Sequence, residues 1–237
     1  MTAILMFPAM LIGPGLSAVL LTALASGRAG LRDLGTRMLA ARQPLSNYLM
    51  LLLPPALVLA VLLSLAALVS PNFAPNTFFM GVLFGLPAGF LEEIGWTGYA
   101  FPTLLKKYNA LSAGVLLGLL WSLWHLPVVD HLGAASPHGH FWLPFFCSFA
   151  AAITAMRVIM GWLYIRTRSI FLVQLMHVSS TAALVIFSAP RATAAQEVFW
   201  YAVYAAALWL LAGLLAPQLK RIGPSSLARP QEVPAGP

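Results

Sequence analysis

Apolar residues in this chain come in long unbroken runs, with neither the alternation of a half-buried strand nor the narrow stripe of a surface helix. Seven runs stand out, near residues 3–26, 48–69, 77–99, 110–129, 141–164, 170–188 and 198–216. Each approaches the roughly 20 residues that a helix needs to cross a bilayer. Pro and Gly interrupt several of them, which spanning helices tolerate when neighbouring helices satisfy the freed backbone groups. The pattern predicts an all-α fold, a polytopic membrane helical bundle of about seven transmembrane helices. Residues 1–217 read as one transmembrane domain. Residues 218–237, ending in "GPSSLARPQEVPAGP", read as a disordered cytoplasmic tail because they are rich in Pro and short of apolar residues. No internal repeat of the kind seen in transporters is evident.

Composition agrees. The chain is 60% hydrophobic and only 8% charged, against about 25% charged in a soluble domain. The net charge of +7 would suggest nucleic acid in a soluble protein, but here the cations sit between apolar runs and no nucleic-acid partner is expected. Arg28, Arg32, Arg37, Arg42, Lys106, Lys107, Arg166, Arg168, Lys220, Arg221 and Arg229 all fall on one side when seven spans alternate. The opposite loops hold only Arg191, and Arg157 lies inside the fifth run. This segregation predicts an inner-membrane protein with its N-terminus outside and its C-terminus cytoplasmic. The first run lacks a basic flank and reads as a span rather than a cleaved signal. A single cysteine, Cys147, rules out an intrachain disulfide or a multi-cysteine metal site.

Against this background the ionisable residues inside spans are conspicuous. Each costs about 2.5–3.5 kcal/mol at mid-helix on insertion scales. Glu92 and Glu93 interrupt "GFLEEIGWTGYAF"; His125 lies in "LLWSLWHLPVV" and His177 in "FLVQLMHVSSTAAL". Adjacent residues of a helix point about 100° apart. One glutamate can therefore face a site while the other makes a structural pair. Gln174, Ser180 and Thr181 share the face of His177 at helical spacing. The bland readings are an ion-paired helix end for the glutamates, an aromatic-belt histidine for His125, and interhelical hydrogen bonding for His177. Taken together, carboxylates on one span and histidines on two others can converge in a bundle core. Such a set can activate water as a general base, hold an oxyanion, bind a metal such as zinc through Glu92, His125 and His177, or relay ions. There is no HExxH helix. Asp130, His131, His138 and His140, in "DHLGAASPHGH", read as a solvated outer loop.

At these residues the chain resembles the CPBP family of intramembrane proteases, the CAAX-protease and bacteriocin-processing (ABI) family related to type II CAAX prenyl endopeptidases. The stretches that carry the resemblance are "GRAGLRDLGTRML", read as a loop, "EEIGWTGYAFPTL", "GLLWSLWHLPVV" and "GWLYIRTRSIFLVQLMHVSSTAAL". The family pattern is EExxxR, then F/WxxxH, then HxxxN. The resemblance implies that Glu92, with Glu93 beside it, activates water together with His125. It makes Trp121 the aromatic residue of the second motif, and it gives His177 the role of stabilising the oxyanion or binding metal. Both a zinc-dependent and a metal-free glutamate mechanism are compatible with it.

Two positions depart from the pattern. Thr97 stands where the first motif has arginine, and Thr181 where the third has asparagine. Threonine offers a hydroxyl but no cation. Arg157 is the candidate replacement, pairing with Glu93, and Thr181 can still donate to an oxyanion. The resulting expectation is an intramembrane endopeptidase acting on a membrane-associated peptide or protein. The alternative is a non-catalytic membrane scaffold or bacteriocin-immunity protein.

Overall fold

The structure is a computed structural model that describes residues 2–127, 129 and 138–224. Among these residues the chain is helical with no strand. Helix α1 is Thr2–Met38 and α2 is Leu45–Leu68, the latter with a 3₁₀ turn at Met50–Leu52. Stretch α3 (82–105) is broken: its α-helical pieces Val82–Pro87, Glu93–Gly95 and Phe101–Leu105 are joined by π turns at Ala88–Glu92 and Trp96–Ala100. Then follow α4 (Ala110–Trp124), α5 (Trp142–Thr167), α6 (Ile170–Ile186) and α7 (Ala194–Arg221).

Local chemistry sets the helix starts. The Asn109 side chain accepts from Ser112 N–H at 2.9 Å to begin α4, and Ser169 accepts from Leu172 N–H at 3.1 Å to begin α6. Thr193 and Gln196 form a reciprocal capping box at the start of α7. Each side chain satisfies backbone donors that a helix start would otherwise leave unpaired, which matters most where water is scarce.

Among the described residues, four helical stretches are long and apolar enough to cross a membrane: Phe7–Met38, Leu45–Leu68, Gly139–Thr167 and Ala194–Arg221. Ala110–Trp124 and Ile170–Ile186 are shorter apolar helices, and α3 is the third run, cut into pieces. All seven expected runs are thus helical, and the polytopic bundle stands.

Within the bundle α5 is central. About 61% of an apolar 18-residue stretch of it is buried, against 22% for the corresponding stretch of α1. It packs on α4 and α7, while α3 lies against α6 on one side and α1 on the other. Glycines permit the two contacts of α3. A Cβ at Gly89 would stand 2.6 Å from the Gln174 carbonyl oxygen, and one at Gly95 2.5 Å from that of Pro14. With no side chain at these points, backbone meets backbone, the close approach that small residues provide in membrane helix pairs.

Three expectations need correction. The basic stretch after the first run is not a loop: α1 continues through it to Met38, bending at Gly27 (φ 56°), a conformation that glycine adopts without steric cost. The tail does not begin at 218, because α7 carries on to Arg221 with Leu219 buried; residues 225–237 lie outside the described residues. His138 is not solvated. It is buried, stacked on Phe145 at 3.9 Å, and its Nε2 donates to the Glu197 carboxylate at 2.8 Å. A carboxylate and an aromatic face take up the polar and apolar parts of the imidazole, so burial costs little. His140 is exposed as expected, while Asp130 and His131 lie outside the described residues.

Candidate active site

The two glutamates sit where the first π turn gives way to a short α-helical piece of α3, and their environments differ completely. Glu93 is fully buried. Its Oε1 accepts from Arg157 Nη2 at 2.7 Å and from His177 Nδ1 at 2.9 Å. Its Oε2 accepts from Arg157 Nη1 at 2.8 Å and from the Thr97 hydroxyl at 2.5 Å. Four donors saturate the carboxylate. The bidentate guanidinium fork supplies its counter-charge in the strongest geometry available to such a pair. Arg157 comes from α5, and its guanidinium lies 4.2 Å from the centre of the Trp121 ring. The cation missing at position 97 is therefore delivered by another helix. Thr97 contributes a hydroxyl to the same carboxylate and sits 3.4 Å from Arg157 Nη1.

Glu92 faces the other way. Its Oε2 accepts from two indoles, Trp121 Nε1 at 3.1 Å and Trp96 Nε1 at 3.2 Å. The rest of its side chain lines a cavity of about 180 Å³ shared with His125, His177 and Thr181 and walled by apolar residues such as Met10 and Phe84. At roughly 30 Å³ per water, this holds a reacting group together with water. The bundle thus brings Glu92 of α3, His125 at the end of α4, and His177 and Thr181 of α6 to one space. Glu93, Arg157, Thr97 and Trp121 stand behind it as a supporting layer.

The histidine tautomers follow from their partners. His125 Nδ1 lies 2.7 Å from the Trp121 carbonyl oxygen, and His177 Nδ1 lies against the Glu93 carboxylate. Both partners only accept, so both Nδ1 atoms carry hydrogen. In each ring this leaves Nε2 for the cavity. Trp121 fixes the two rings further, packing edge-on to His125 at 5.2 Å and to His177 at 5.0 Å.

Imidazoles tethered through Nδ1–H and bare at Nε2 are oriented as metal-binding histidines are, and two of them with a carboxylate are of the type that zinc takes. Their spacing does not fit, however: among the described residues no three or more His, Cys, Asp or Glu side chains are placed to hold one metal ion. The polar stripe expected on α6 also divides. Thr181 reaches the cavity, whereas Gln174 donates to the Phe90 carbonyl oxygen at 2.9 Å.

Trp96 was missed at the level of sequence, although its i+4 spacing from Glu92 was a usable signal. It also walls a second, larger apolar recess of about 470 Å³ between α1, α3 and α4, together with Trp124 and Tyr99.

Comparisons with known proteins bear on this arrangement. Residues 74–183, which include every residue of the site named above except Met10, match the family model described as type II CAAX prenyl endopeptidase Rce1-like. A stretch of 87 residues is 40% identical to "CAAX prenyl protease 2" of Methanococcus maripaludis, covering 33% of this chain and 32% of that protein. The match thus spans about a third of the length of that relative. Part of this chain, residues 74–183 in the case of the family model, is thus similar to CAAX prenyl endopeptidases.

Proposed function

We propose, from the similarity of residues 74–183 to the type II CAAX prenyl endopeptidases, that this chain is an intramembrane endopeptidase hydrolysing a peptide bond in a membrane-associated protein or peptide. The observation that carries the reading is Glu92. One carboxylate oxygen is held by two indoles, while the side chain opens onto a cavity shared with the free Nε2 atoms of two tethered histidines. In this reading Glu92 takes a proton from water as it attacks the scissile carbonyl, while the bare Nε2 of His125 accepts a hydrogen bond from the same water. The new C–O bond places negative charge on the former carbonyl oxygen. The Thr181 hydroxyl donates to that oxygen, and the His177 ring lies beside it on the same helix. The abstracted proton then passes to the leaving amine as the C–N bond breaks.

For a metal-dependent version of the reaction, Glu92, His125 and His177 would be the ligands and zinc the ion their donor types suit. Their present spacing does not fit, and no step above runs through a metal. Metal content of the purified protein, with turnover before and after chelation, distinguishes the two versions: zinc near one per chain and required for turnover selects the metal.

The bilayer is the setting of the reaction, in an inner membrane with the N-terminus outside and the C-terminus cytoplasmic. The apolar recess beside Trp96 suits the apolar flank of a membrane-borne substrate. Because the relative is named as a CAAX prenyl protease, a prenylated CAAX peptide in proteoliposomes is the first probe, followed by comparison of protein C-termini in cells with and without the chain. Glu92→Ala, His125→Ala and His177→Ala should each abolish cleavage while the protein still accumulates folded. Unchanged turnover in any one removes that residue from the mechanism.

One departure, Thr181, favours a second reading as a non-catalytic membrane scaffold or immunity protein. A Glu92→Gln chain that fully supports the cellular phenotype would select it.

A further inference from the structure

Glu92 and Glu93 point to different partners because of the backbone that carries them, and two side chains from outside α3 hold that backbone. The π turns at Ala88–Glu92 and Trp96–Ala100 bracket the short helical piece Glu93–Gly95. A π turn inserts a residue into the helical register and displaces carbonyls from the regular ladder. In each turn one carbonyl is met by a side chain from another helix.

In the second turn the reason is chemical. The residue that would donate to the Gly98 carbonyl in an α-helix is residue 102, which is Pro102 and has no N–H. Arg37, near the C-terminal end of α1, donates its Nη1 to that oxygen at 3.1 Å. The same nitrogen donates to the hydroxyl oxygen of buried Tyr164 at 2.9 Å, and Nε is held by Asp33 at 2.8 Å. Tyr164 lies on α5, two turns beyond Arg157. In the first turn Gln174 Nε2 donates to the Phe90 carbonyl, and Gln174 lies on α6, one turn before His177. Arg37 is set apart from the other cations of its stretch: Arg28, Arg32 and Arg42 are exposed, whereas its own side chain is 15% exposed and turned into the bundle.

We infer that Arg37 and Gln174 are positioning residues that hold the two π turns of α3 in the register sending Glu92 to the cavity and Glu93 to Arg157. Neither lines the cavity. They act through the backbone that carries the glutamates, and they tie it to the helices that carry Arg157 and His177. The catalytic consequence rests on the endopeptidase reading; the structural one does not.

The test uses the full chain in lipid nanodiscs with two measurements, amide hydrogen exchange and steady-state cleavage of the prenylated peptide. Arg37→Leu should speed exchange in 94–104, and Gln174→Leu in 88–95, by about tenfold each, the scale of one lost hydrogen bond, with little change in α7. Turnover should fall by a similar factor in kcat while KM stays within about twofold, the pattern of misaligned chemistry. Arg37→Lys keeps a donor for Gly98 and should recover most of the loss, which a residue acting only as bulk would not allow.

Where the leucine variant does not accumulate, Tyr164→Phe removes one anchor of the same guanidinium and should give the same local exchange at smaller amplitude. Unchanged exchange in 94–104 and 88–95 overturns the inference, as does faster local exchange with kcat intact. A wild-type chain that cleaves nothing overturns the endopeptidase reading alone, because the exchange result still decides the clamp.

Discussion

Glu92 and Glu93 are neighbours in sequence and lie in opposite halves of the site. Around Glu93 every acceptor position is filled, by a guanidinium, an imidazole and a hydroxyl, with no space left for a reactant. Around Glu92, among the described residues, one oxygen is engaged, by two neutral indoles, and a cavity lies beyond. A saturated, charge-compensated carboxylate is a structural anchor, whereas a half-satisfied one beside space is free to take the role of base that the proposed reading gives it. In the proposed reading the pair separates stability from chemistry across a single peptide bond, so that each half should be open to disturbance without the other.

The largest effect should come from breaking the saturated half. Arg157→Leu leaves Glu93 buried without its counter-charge, a change that costs about 3–5 kcal/mol. We expect a sharp loss of folded protein in thermal unfolding, and Glu93→Leu combined with Arg157→Leu should restore much of it. If Arg157→Leu alone unfolds like wild type, Glu93 is not anchored as described. On the reactive half, Glu92→Gln keeps an acceptor for both indoles and should leave the unfolding temperature nearly unchanged. Removing the base should nevertheless lower turnover by about 10²–10⁴-fold. Equal loss of stability and turnover would erase the contrast between the two glutamates.

Trp96→Phe should have a smaller effect. It deletes one of the two donors to Glu92, a hydrogen bond to a charged group worth about 1.5 kcal/mol. Turnover should fall about tenfold with the fold retained. The smallest effect belongs to Thr97→Val, which removes one of four donors to Glu93 while Arg157 remains. Roughly 1 kcal/mol of stability should be lost, and Thr97→Ser should restore it. A Thr97→Val loss as large as that of Arg157→Leu would mean that the hydroxyl, not the guanidinium, holds the carboxylate.

Much of this could be read from the residues alone. The seven apolar runs marked the helices because the bilayer imposes length and hydropathy on any span, whatever its neighbours. The scarcity of ionisable groups inside those runs singled out Glu92, Glu93, His125, Arg157 and His177, since each must find a partner there or not be tolerated. The pairing of Arg157 with Glu93 could be anticipated because a buried cation and an uncompensated carboxylate in so apolar a chain have few alternatives. His138 was misread for the converse reason: its partner Glu197 lies 59 residues away at the start of α7, and nothing local announces such a contact.

The sequence by itself determined which segments are helical in lipid and which side chains are too polar to be left alone there, because those properties depend on composition over a turn or a span. Only the tertiary structure decided which glutamate is the anchor and which faces the cavity, where Trp96 and Gln174 donate, and that Arg37 turns inward. Each of those outcomes depends on two π turns that rotate one helix against three others. A change of one residue in register is invisible to hydrophobic pattern, yet it moves a carboxylate from one set of partners to another.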